Sequence, residues 1–304
     1  MKVFVTGVNG QLGHDVMNEL ADRGYEAIGS GSGPEYKGTG DAVSKMPYVQ
    51  LDITDEAAVL KTLSEVKPDA VVHCSAWTAV DAAEEPENRD KVYAINERGP
   101  ENIAKACAAV GSKLVYLSTD YVFSGLGTEP WKPDCREFAP LNVYGASKLA
   151  GEKAVEANTD RFFIVRIAWV FGINGKNFIK TMLNVGKTHD TVRVVCDQIG
   201  TPTYTYDLAR LLCDMIETDK FGYYHVTNEG GFISWYDFCC EIYRQAGMST
   251  NVIPVTTAEY GASKAARPFN SRLDKTKLAD EGFVPLPDWQ NALTRYLEEL
   301  GEKA

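Results

Sequence analysis

Three glycines between a strand pattern and a helix pattern constrain the fold of this 304-residue chain most strongly. Residues 2–6 (KVFVT) are rich in β-forming residues, and apolar residues recur at helical spacing through 11–22. Between these segments, Gly7 permits a tight turn, Gly10 lets a phosphate approach the backbone, and Gly13 lets the helix pack closely on the strand. The pattern therefore predicts a dinucleotide-binding loop, with a purely structural turn as the alternative.

Strand and helix signals continue to alternate after the glycine loop. We expect further strands at 25–29, 70–73, 113–118 and 162–168, helices at 55–66, 87–110 and 142–157, and a loop at 30–40. This alternation predicts an α/β fold, a Rossmann-like doubly wound parallel sheet with a smaller C-terminal substrate-binding lobe. We expect the dinucleotide-binding domain in residues 1–170. Residues 171–304 would form mainly the substrate-binding lobe, with some elements returning to the main sheet.

Composition and charge argue against several classes of function. A formal net charge of −11 disfavours nonspecific binding to nucleic acid or to an anionic membrane. No apolar run is long enough to span a bilayer, and the first residues are typical of a strand rather than a signal peptide. Seven cysteines without a CxxC pair indicate reduced thiols, and no spacing of His and Cys suggests a zinc site. We therefore expect a cytoplasmic protein without nucleic-acid or membrane partners.

A tyrosine and a lysine in the sequence YGASK are the first candidate catalytic pair. Four positions apart on the helix predicted at 142–157, Tyr144 and Lys148 share one face. A nearby ammonium and the positive charge that develops on a nicotinamide favour the phenolate, so we expect a lowered pKa for Tyr144. The tyrosine would then donate a proton to a substrate carbonyl, and Lys148 would also hold the nicotinamide ribose. An ordinary exposed helix pair is the alternative for this spacing taken alone.

A hydroxyl at the end of a strand supports the catalytic interpretation. The strand predicted at 113–118 ends in Ser118 and Thr119, and α/β sheets bind ligands at the carboxyl ends of their parallel strands. A hydroxyl there donates a hydrogen bond to a carbonyl oxygen as negative charge grows on it. The two side chains point to opposite faces if the strand continues, so we expect only one of them to serve.

Seven short motifs spread over the chain carry a family resemblance. They are TGVNGQLG (6–13), LDITD (51–55), TAVDAAE (78–84), STDYVF (118–123), PLNVYG (140–145), DQIGTPT (197–203) and RPFNS (267–271). Together with the tyrosine and lysine pair, they resemble the dTDP-4-dehydrorhamnose reductases, a family of the extended short-chain dehydrogenase/reductases. The later motifs are more specific than the glycines, and the resemblance covers essentially the whole chain.

The resemblance implies a role for each matching residue. The implied cofactor-binding residues are Gly7, Gly10, Gln11, Leu12 and Gly13 at the pyrophosphate, Asp52 and Ile53 at the adenine, Ala76, Trp77 and Thr78 along the cofactor, and Tyr144 and Lys148. The implied catalytic residues are the Thr119 hydroxyl, the proton donor Tyr144 and its partner Lys148. The implied substrate-binding residues are Thr119, Asp120, Tyr121 and Trp169 at the deoxysugar and Arg267 at the nucleotide diphosphate, where a guanidinium suits phosphate oxygens.

The implied reaction is the NAD(P)H-dependent reduction of the C4 ketone of dTDP-6-deoxy-L-lyxo-4-hexulose to dTDP-L-rhamnose. Two alternatives stay open. Some relatives are non-catalytic regulatory subunits of methionine adenosyltransferase, although the presence of Tyr144, Lys148 and Thr119 argues against that function here. The chain would otherwise be a reductase or epimerase of another nucleotide sugar. Family members of this kind are monomers or homodimers.

The cofactor and a metal are the less constrained parts of this prediction. No carboxylate stands in the GSGS sequence at 29–32, where an acidic residue would grip the ribose of NAD, so the sequence favours NADPH, with Lys37 near its 2′-phosphate and NADH as the alternative. Some family members hold Mg²⁺, for which Asp15 and Asp190 are candidates, and we leave that site unassigned. His73 stands where the family often has asparagine, and we interpret it as structural.

Overall fold

The computed structural model describes residues 1–36, 46–261 and 263–303. Its strands are β1 Lys2–Thr6, β2 Glu26–Gly31, β3 Tyr48–Gln50, β4 Ala70–His73, β5 Lys113–Thr119, β6 Phe162–Ile167, β7 Val170–Phe171, β8 Thr191–Val195, β9 Ile199–Gly200, β10 Thr203–Tyr204, β11 Gly222–His225, β12 Ile233–Ser234 and β13 Asn251–Val255. Its helices are α1 Gln11–Asp22, α2 Glu56–Val66, α3 Val80–Ala83, α4 Arg89–Tyr93, α5 Gly99–Val110, α6 Val143–Asn158, α7 Phe178–Gly186, α8 Thr205–Ile216, α9 Trp235–Gln245, α10 Thr257–Tyr260, α11 Thr276–Asp280 and α12 Trp289–Leu300.

A parallel sheet forms the centre of the molecule. Within the described residues it has seven strands in the order β3-β2-β1-β4-β5-β6-β11. The predicted α/β fold with a doubly wound parallel sheet is confirmed. The strand order reverses direction between β1 and β4, which is where doubly wound sheets bind ligands at their carboxyl ends.

Alternating side chains of the strands bury against helices on both faces of the sheet. On one face, Val3 and Val5 pack in the cluster that includes Leu208 of α8. On the other face, Phe4 packs in the cluster that includes Ile103 of α5. This strict alternation is what a strand buried on both faces requires.

The chain after residue 171 contributes to both parts of the molecule. The strand β11 lies at the edge of the central sheet, paired with β6. A separate apolar core includes Phe171, Ile179 and Leu293, and it binds α7, α9 and α12 together. The division of the chain at residues 170 and 171 stays a prediction.

Two predicted elements differ from the structure. The loop predicted to begin at Ser30 begins later, because β2 continues to Gly31 through its parallel pairing with β3. The helix predicted over 87–110 is unbroken in the structure, but it is not a single regular α-helix: a 3₁₀ turn and α4 lead into a π-helical segment, Ala94–Arg98, before α5. Side-chain periodicity does not reveal a π segment, because the extra residue per turn is accommodated locally.

None of the helices in the described part of the chain combines the length and the apolar character that crossing a membrane requires.

A buried ion pair fixes α6 against the central sheet. Arg166 on β6 donates to both carboxylate oxygens of Glu152 on α6 at 2.8 Å, and the two side chains are 0% and 1% exposed. The guanidinium also donates to the carbonyl oxygen of Pro133 at 3.3 Å. It lies 4.8 to 5.2 Å from the ring centres of Phe123, Tyr223 and Phe138. Each charge is therefore paired and hydrogen-bonded, as burial demands.

Removing one member of this buried pair should destabilise the protein far more than removing one member of a solvent-exposed ion pair. We expect Arg166→Met to lower the free energy of unfolding by about 3–5 kcal/mol, because the Glu152 carboxylate stays buried without a partner. Urea denaturation measures the change. The control is Lys105→Met, which removes an exposed pair with Glu101 and should change the midpoint little. Equal midpoints for the two variants would contradict the stabilising role of the buried pair.

Candidate active site

The glycine loop joins β1 to α1 at the switch point of the sheet. Gly7 has a φ of +71°, and a Cβ atom there would lie 2.7 Å from the backbone nitrogen of Ser75, just beyond β4. A Cβ atom on Gly13 would collide with the carbonyl oxygen of Gly7. Side chains at these positions would push the loop and α1 off the sheet. The first N–H groups of α1 have no side-chain cap, an arrangement typical of a phosphate-binding helix end.

A cleft of about 520 Å³ lies in front of this loop. Five predicted cofactor-binding residues line it, namely Gly7, Gly10, Asp52, Ile53 and Ala76. The remaining lining residues are Asn9, Gly31, Ser32, Leu51, Thr54, Cys74, Ser75, Lys91, Ala94 and Ile95. Its volume, its glycine floor and its position at the carboxyl ends of the strands fit a dinucleotide cofactor.

The other residues predicted at the cofactor lie beside this cleft rather than among its lining. The side-chain oxygen of Gln11 accepts hydrogen bonds from Gly172 N at 2.9 Å and Asn177 Nδ2 at 3.0 Å. Leu12 is 8% exposed and belongs to the core. Trp77 follows Ala76 in the loop after β4, and Thr78 is exposed.

The end of the cleft near β2 has the small residues that the sequence indicated. Gly31 and Ser32 line it, and the described lining includes no carboxylate from β2. The one lining carboxylate, Asp52, accepts hydrogen bonds from the backbone N and the hydroxyl of Thr54 at 2.9 and 2.8 Å. The interpretation of Lys37 falls outside the described residues.

The predicted catalytic group lies at the carboxyl edge of the sheet. Thr119 is the last residue of β5, and its hydroxyl donates to Asp120 Oδ1 at 2.9 Å. Tyr144 lies in the first turn of α6, whose Asn142 cap accepts from Gly145 N at 2.7 Å. Lys148, one turn later, is 2% exposed, and its ammonium lies 4.2 Å from the ring centre of Tyr116. Its charge also lowers the pKa of Cys74, which lines the cleft, against the larger effect of burial.

Burial dominates the acid–base properties of this group. It raises the pKa of Tyr144 to about 12, although the Thr119 hydroxyl acts in the opposite direction. It lowers the pKa of Lys148 to about 7, against the charge of Glu152. The expected lowering of the Tyr144 pKa is therefore wrong for the protein's own groups, because desolvation of the phenolate and the nearby Asp120 outweigh the Thr119 hydroxyl.

Sequence reasoning missed a buried asparagine that joins the loop after β4 to α6, the helix that carries Tyr144 and Lys148. Asn96, in the π-helical segment, accepts from Trp77 N at 2.8 Å and donates to Trp77 O at 3.1 Å. Its amide also donates to the hydroxyl of Ser147 at 3.0 Å. Gly151 permits this close approach, since a Cβ atom there would collide with the carbonyl oxygen of Asn96. An isolated asparagine in an apparently regular helix carries no signal that its carboxamide bridges two segments.

Two predicted sugar-binding residues lie close to Tyr144, the predicted proton donor. The ring of Tyr121 packs edge-on against Tyr144, with 5.7 Å between ring centres. Asp120 is 2% exposed, and burial raises its pKa to about 6, against the neighbouring hydroxyls of Ser271 and Thr119. The RPFNS segment therefore reaches the same place as the STDYVF segment.

Trp169 has an unusual backbone conformation that an aromatic stack holds in place. Its φ is +51°, in the left-handed region that bulky residues avoid. Its indole stacks on Trp235, with 3.8 Å between ring centres and 17° between planes. Phe178 packs against Trp235 from another side at 4.7 Å. A Cβ atom on Gly200 would lie 2.9 Å from the Trp169 indole, so this indole is held closely on two sides.

Arg267, predicted at the nucleotide diphosphate, pairs with Asp81 of the TAVDAAE motif. Its two terminal nitrogens donate to the two carboxylate oxygens at 3.2 and 2.8 Å. Asp81 also accepts from Ala265 N at 3.0 Å. The pair connects α3 to the segment after α10.

His73 and Asp15, one of the two candidate metal ligands, are buried and hydrogen-bonded to threonine hydroxyls. His73 Nδ1 lies 2.8 Å from the hydroxyl of Thr6, and burial lowers the pKa of the imidazole to about 3. Asp15 is 6% exposed and accepts a hydrogen bond from Thr205, whereas Asp190 is exposed. Across the described ranges, no group of three or more His, Cys, Asp or Glu side chains is arranged to hold a metal ion.

Comparisons with known proteins agree over the whole chain. The family model described as the RmlD substrate binding domain matches residues 1–302. A dTDP-4-dehydrorhamnose reductase of Streptomyces griseus is 40% identical over 308 residues, which cover 99% of this chain and 94% of the relative. The solved structure of a dTDP-4-dehydrorhamnose reductase from Clostridium acetobutylicum has a TM-score of 0.89 and 41% identity, covering 99% and 100% of the two chains. A dTDP-4-dehydrorhamnose reductase from Bacillus anthracis, solved in complex with NADP, has a TM-score of 0.87 and 40% identity, covering 98% and 99%.

We expect Asn96→Ala to destabilise the protein by about 1–3 kcal/mol, because both backbone groups of Trp77 lose their buried partner. Thermal unfolding followed by circular dichroism measures the loss. The control is Asn158→Ala, which removes a single hydrogen bond to Ala154 O at the end of α6. If Asn96→Ala melts at the same temperature as this control, the carboxamide does not hold the two segments together.

Proposed function

This chain belongs to the RmlD substrate binding domain family, and from that premise we propose that it is a dTDP-4-dehydrorhamnose reductase. It reduces the C4 ketone of dTDP-6-deoxy-L-lyxo-4-hexulose with NADPH and yields dTDP-L-rhamnose. The whole-length likeness to reductases of this name supports the proposal. The observation that carries it is the grouping of Thr119, Tyr144 and Lys148 beside the dinucleotide cleft.

The proposed chemistry divides between the cofactor and the side chains. A bound nicotinamide supplies the hydride that reaches the C4 carbon. Tyr144 donates its proton to the C4 oxygen, and its raised pKa keeps the phenol protonated until negative charge develops on that oxygen. The Lys148 ammonium stabilises the phenolate that remains, at short range in a buried site. Because its pKa is lowered, the Lys148 ammonium is a stronger acid than an ordinary lysine, and it readily passes a proton towards the tyrosine.

Thr119 completes the group as a hydrogen-bond donor to the C4 oxygen. In the structure its hydroxyl hydrogen is directed at Asp120 Oδ1. Rotation about the Cβ–Oγ bond redirects it to the substrate oxygen, where it stabilises the growing charge. Tyr121 and Trp169 form apolar walls for the deoxysugar, and Asp120 accepts from a sugar hydroxyl. Arg267 meets the diphosphate, which requires it to exchange Asp81 for a phosphate oxygen.

Removing the phenol tests the proton donor. We expect Tyr144→Phe to cut kcat by about two to four orders of magnitude, the usual size of a general-acid contribution. NADPH oxidation on the 4-ketosugar measures kcat, and NADPH fluorescence shows that the cofactor still binds. The control, Tyr260→Phe, alters a tyrosine that is 48% exposed and should keep full activity. Near-normal turnover of Tyr144→Phe would contradict the assignment of Tyr144 as the proton donor.

The end of the cleft near β2 predicts the cofactor preference. We expect a Kd for NADPH about tenfold or more below that for NADH, since Gly31 and Ser32 leave room for a 2′-phosphate and present no carboxylate. Ser32→Asp should weaken the binding of NADPH, because the new carboxylate repels the 2′-phosphate. It should strengthen the binding of NADH, because the carboxylate accepts hydrogen bonds from the ribose hydroxyls. Ser32→Asn keeps the shape without the charge and should change the ratio little. A wild-type preference for NADH would overturn this part of the proposal.

The sugar specificity is tested with a panel of dTDP-, UDP- and GDP-linked 4-ketosugars. The proposal requires the highest kcat/KM on the dTDP-linked 6-deoxy-4-hexulose. Higher activity on a UDP- or GDP-sugar would indicate a reductase of another nucleotide sugar. Copurification with methionine adenosyltransferase and no NADPH oxidation on any member of the panel would indicate a regulatory subunit.

A further inference from the structure

One basic side chain of the cofactor cleft has no role in the function proposed above. Lys91 is the single lysine or arginine among the described residues that line the cleft. It is exposed and lies on α4, a short helix that its neighbour Val92 anchors in the interior. Its ammonium lies 5.8 Å from the ring centre of Trp77. The indole is itself fixed, since its Nε1 donates to Ala79 O at 3.0 Å.

The surroundings of Lys91 make its lack of a carboxylate partner informative. The neighbouring residues 81–90 include five carboxylates, yet no ion pair of Lys91 is present in the described structure. Asp81 pairs with Arg267, Glu85 with Lys264, and Glu84 accepts from Val143 N at 2.7 Å. Three of the nearby acids are therefore engaged elsewhere. The lysine remains a free positive charge on the wall of a cleft in a protein of net charge −11.

We propose that Lys91 binds the pyrophosphate of the dinucleotide, as a phosphate-binding residue that the sequence motifs do not include. The inference rests on the proposed function, since it assumes that the cleft holds NADPH or NADH. An exposed ammonium next to a diphosphate forms a charge-assisted hydrogen bond and offsets the repulsion between an acidic protein and an anionic cofactor. The Trp77 ring keeps the ammonium over the cleft through a cation–π contact.

The position of Lys91 distinguishes the pyrophosphate from the 2′-phosphate. The lysine lies over Trp77, in the loop that follows β4, and this loop packs against Gly7 of the phosphate loop. The 2′-phosphate would lie at Gly31 and Ser32, at the end of β2. In the sheet, β2 and β4 are separated by β1, which places their ends about 10 Å apart. Lys91 is therefore on the side of the pyrophosphate, which NADPH and NADH share.

Direct binding measurements test this assignment without any sugar substrate. The dissociation constants of NADPH, NADH and ADP-ribose are measured by calorimetry or cofactor fluorescence for the wild type, Lys91→Met, Lys91→Arg and Lys61→Met. We expect Lys91→Met to raise the Kd of all three ligands by a similar factor, about 5- to 20-fold at low salt. Added salt should shrink that factor. Lys91→Arg should restore most of the affinity, and Lys61→Met, an exposed lysine of α2, should match the wild type.

The possible outcomes separate this inference from the proposed function. Unchanged Kd values for Lys91→Met would show a solvated surface lysine and overturn the inference. If Lys91→Met weakens the binding of NADPH but leaves the Kd values of NADH and ADP-ribose unchanged, the contact is at the 2′-phosphate, and the inference is overturned as well. If the wild type binds none of the three ligands, the cofactor assignment and the proposed function fail. If binding behaves as expected but the 4-ketosugar is not reduced, the proposed function fails and the phosphate contact stands.

Discussion

The close seating of α6 on the central sheet is the constraint on which the candidate site depends. The helix carries Tyr144 and Lys148, and it approaches its neighbours closely because Gly145 and Gly151 have no side chains. A Cβ atom on Gly145 would collide with Tyr121 O. Directly after Gly151, the ion pair of Glu152 with Arg166 joins α6 to β6. A desolvated ion pair adds little net stability over an apolar contact, whereas either charge left in that place without its partner is strongly destabilising.

The same close packing determines the chemistry of the site. Lys148 and Asp120 are each 2% exposed, so the charged forms of both are disfavoured by lost hydration. Burial lowers the pKa of Lys148 to about 7 and raises the pKa of Asp120 to about 6, so both pKa values lie near neutral pH. Tyr144 remains a firmly protonated phenol. In such a site, the protonation of each group depends strongly on charge that develops on its neighbours, because little water is present to screen that charge.

The sequence predicted the parts of this protein that repeat a local pattern. The strand and helix alternation is local, and the fold that it predicted is confirmed. The seven short motifs are local as well, and the family that they indicated is confirmed. What the sequence did not reveal depends on contacts between distant segments. Asn96 lies 51 positions from the Ser147 hydroxyl that it meets, and Trp235 lies far from the Trp169 indole that it covers. The direction of the Tyr144 pKa was misjudged for the same reason, since burial is a tertiary property.

Gln11 shows how tertiary structure gives a residue of a local motif a contact that the motif does not indicate. It begins α1 directly after the glycine loop, and its side-chain oxygen accepts from Gly172 N and Asn177 Nδ2. Asn174 binds the same loop from the C-terminal side, donating to Asn9 O at 3.0 Å. Asn177 also donates to the hydroxyl of Tyr296 on α12. Short polar contacts thus join the glycine loop to α7 and α12 in the C-terminal part of the chain.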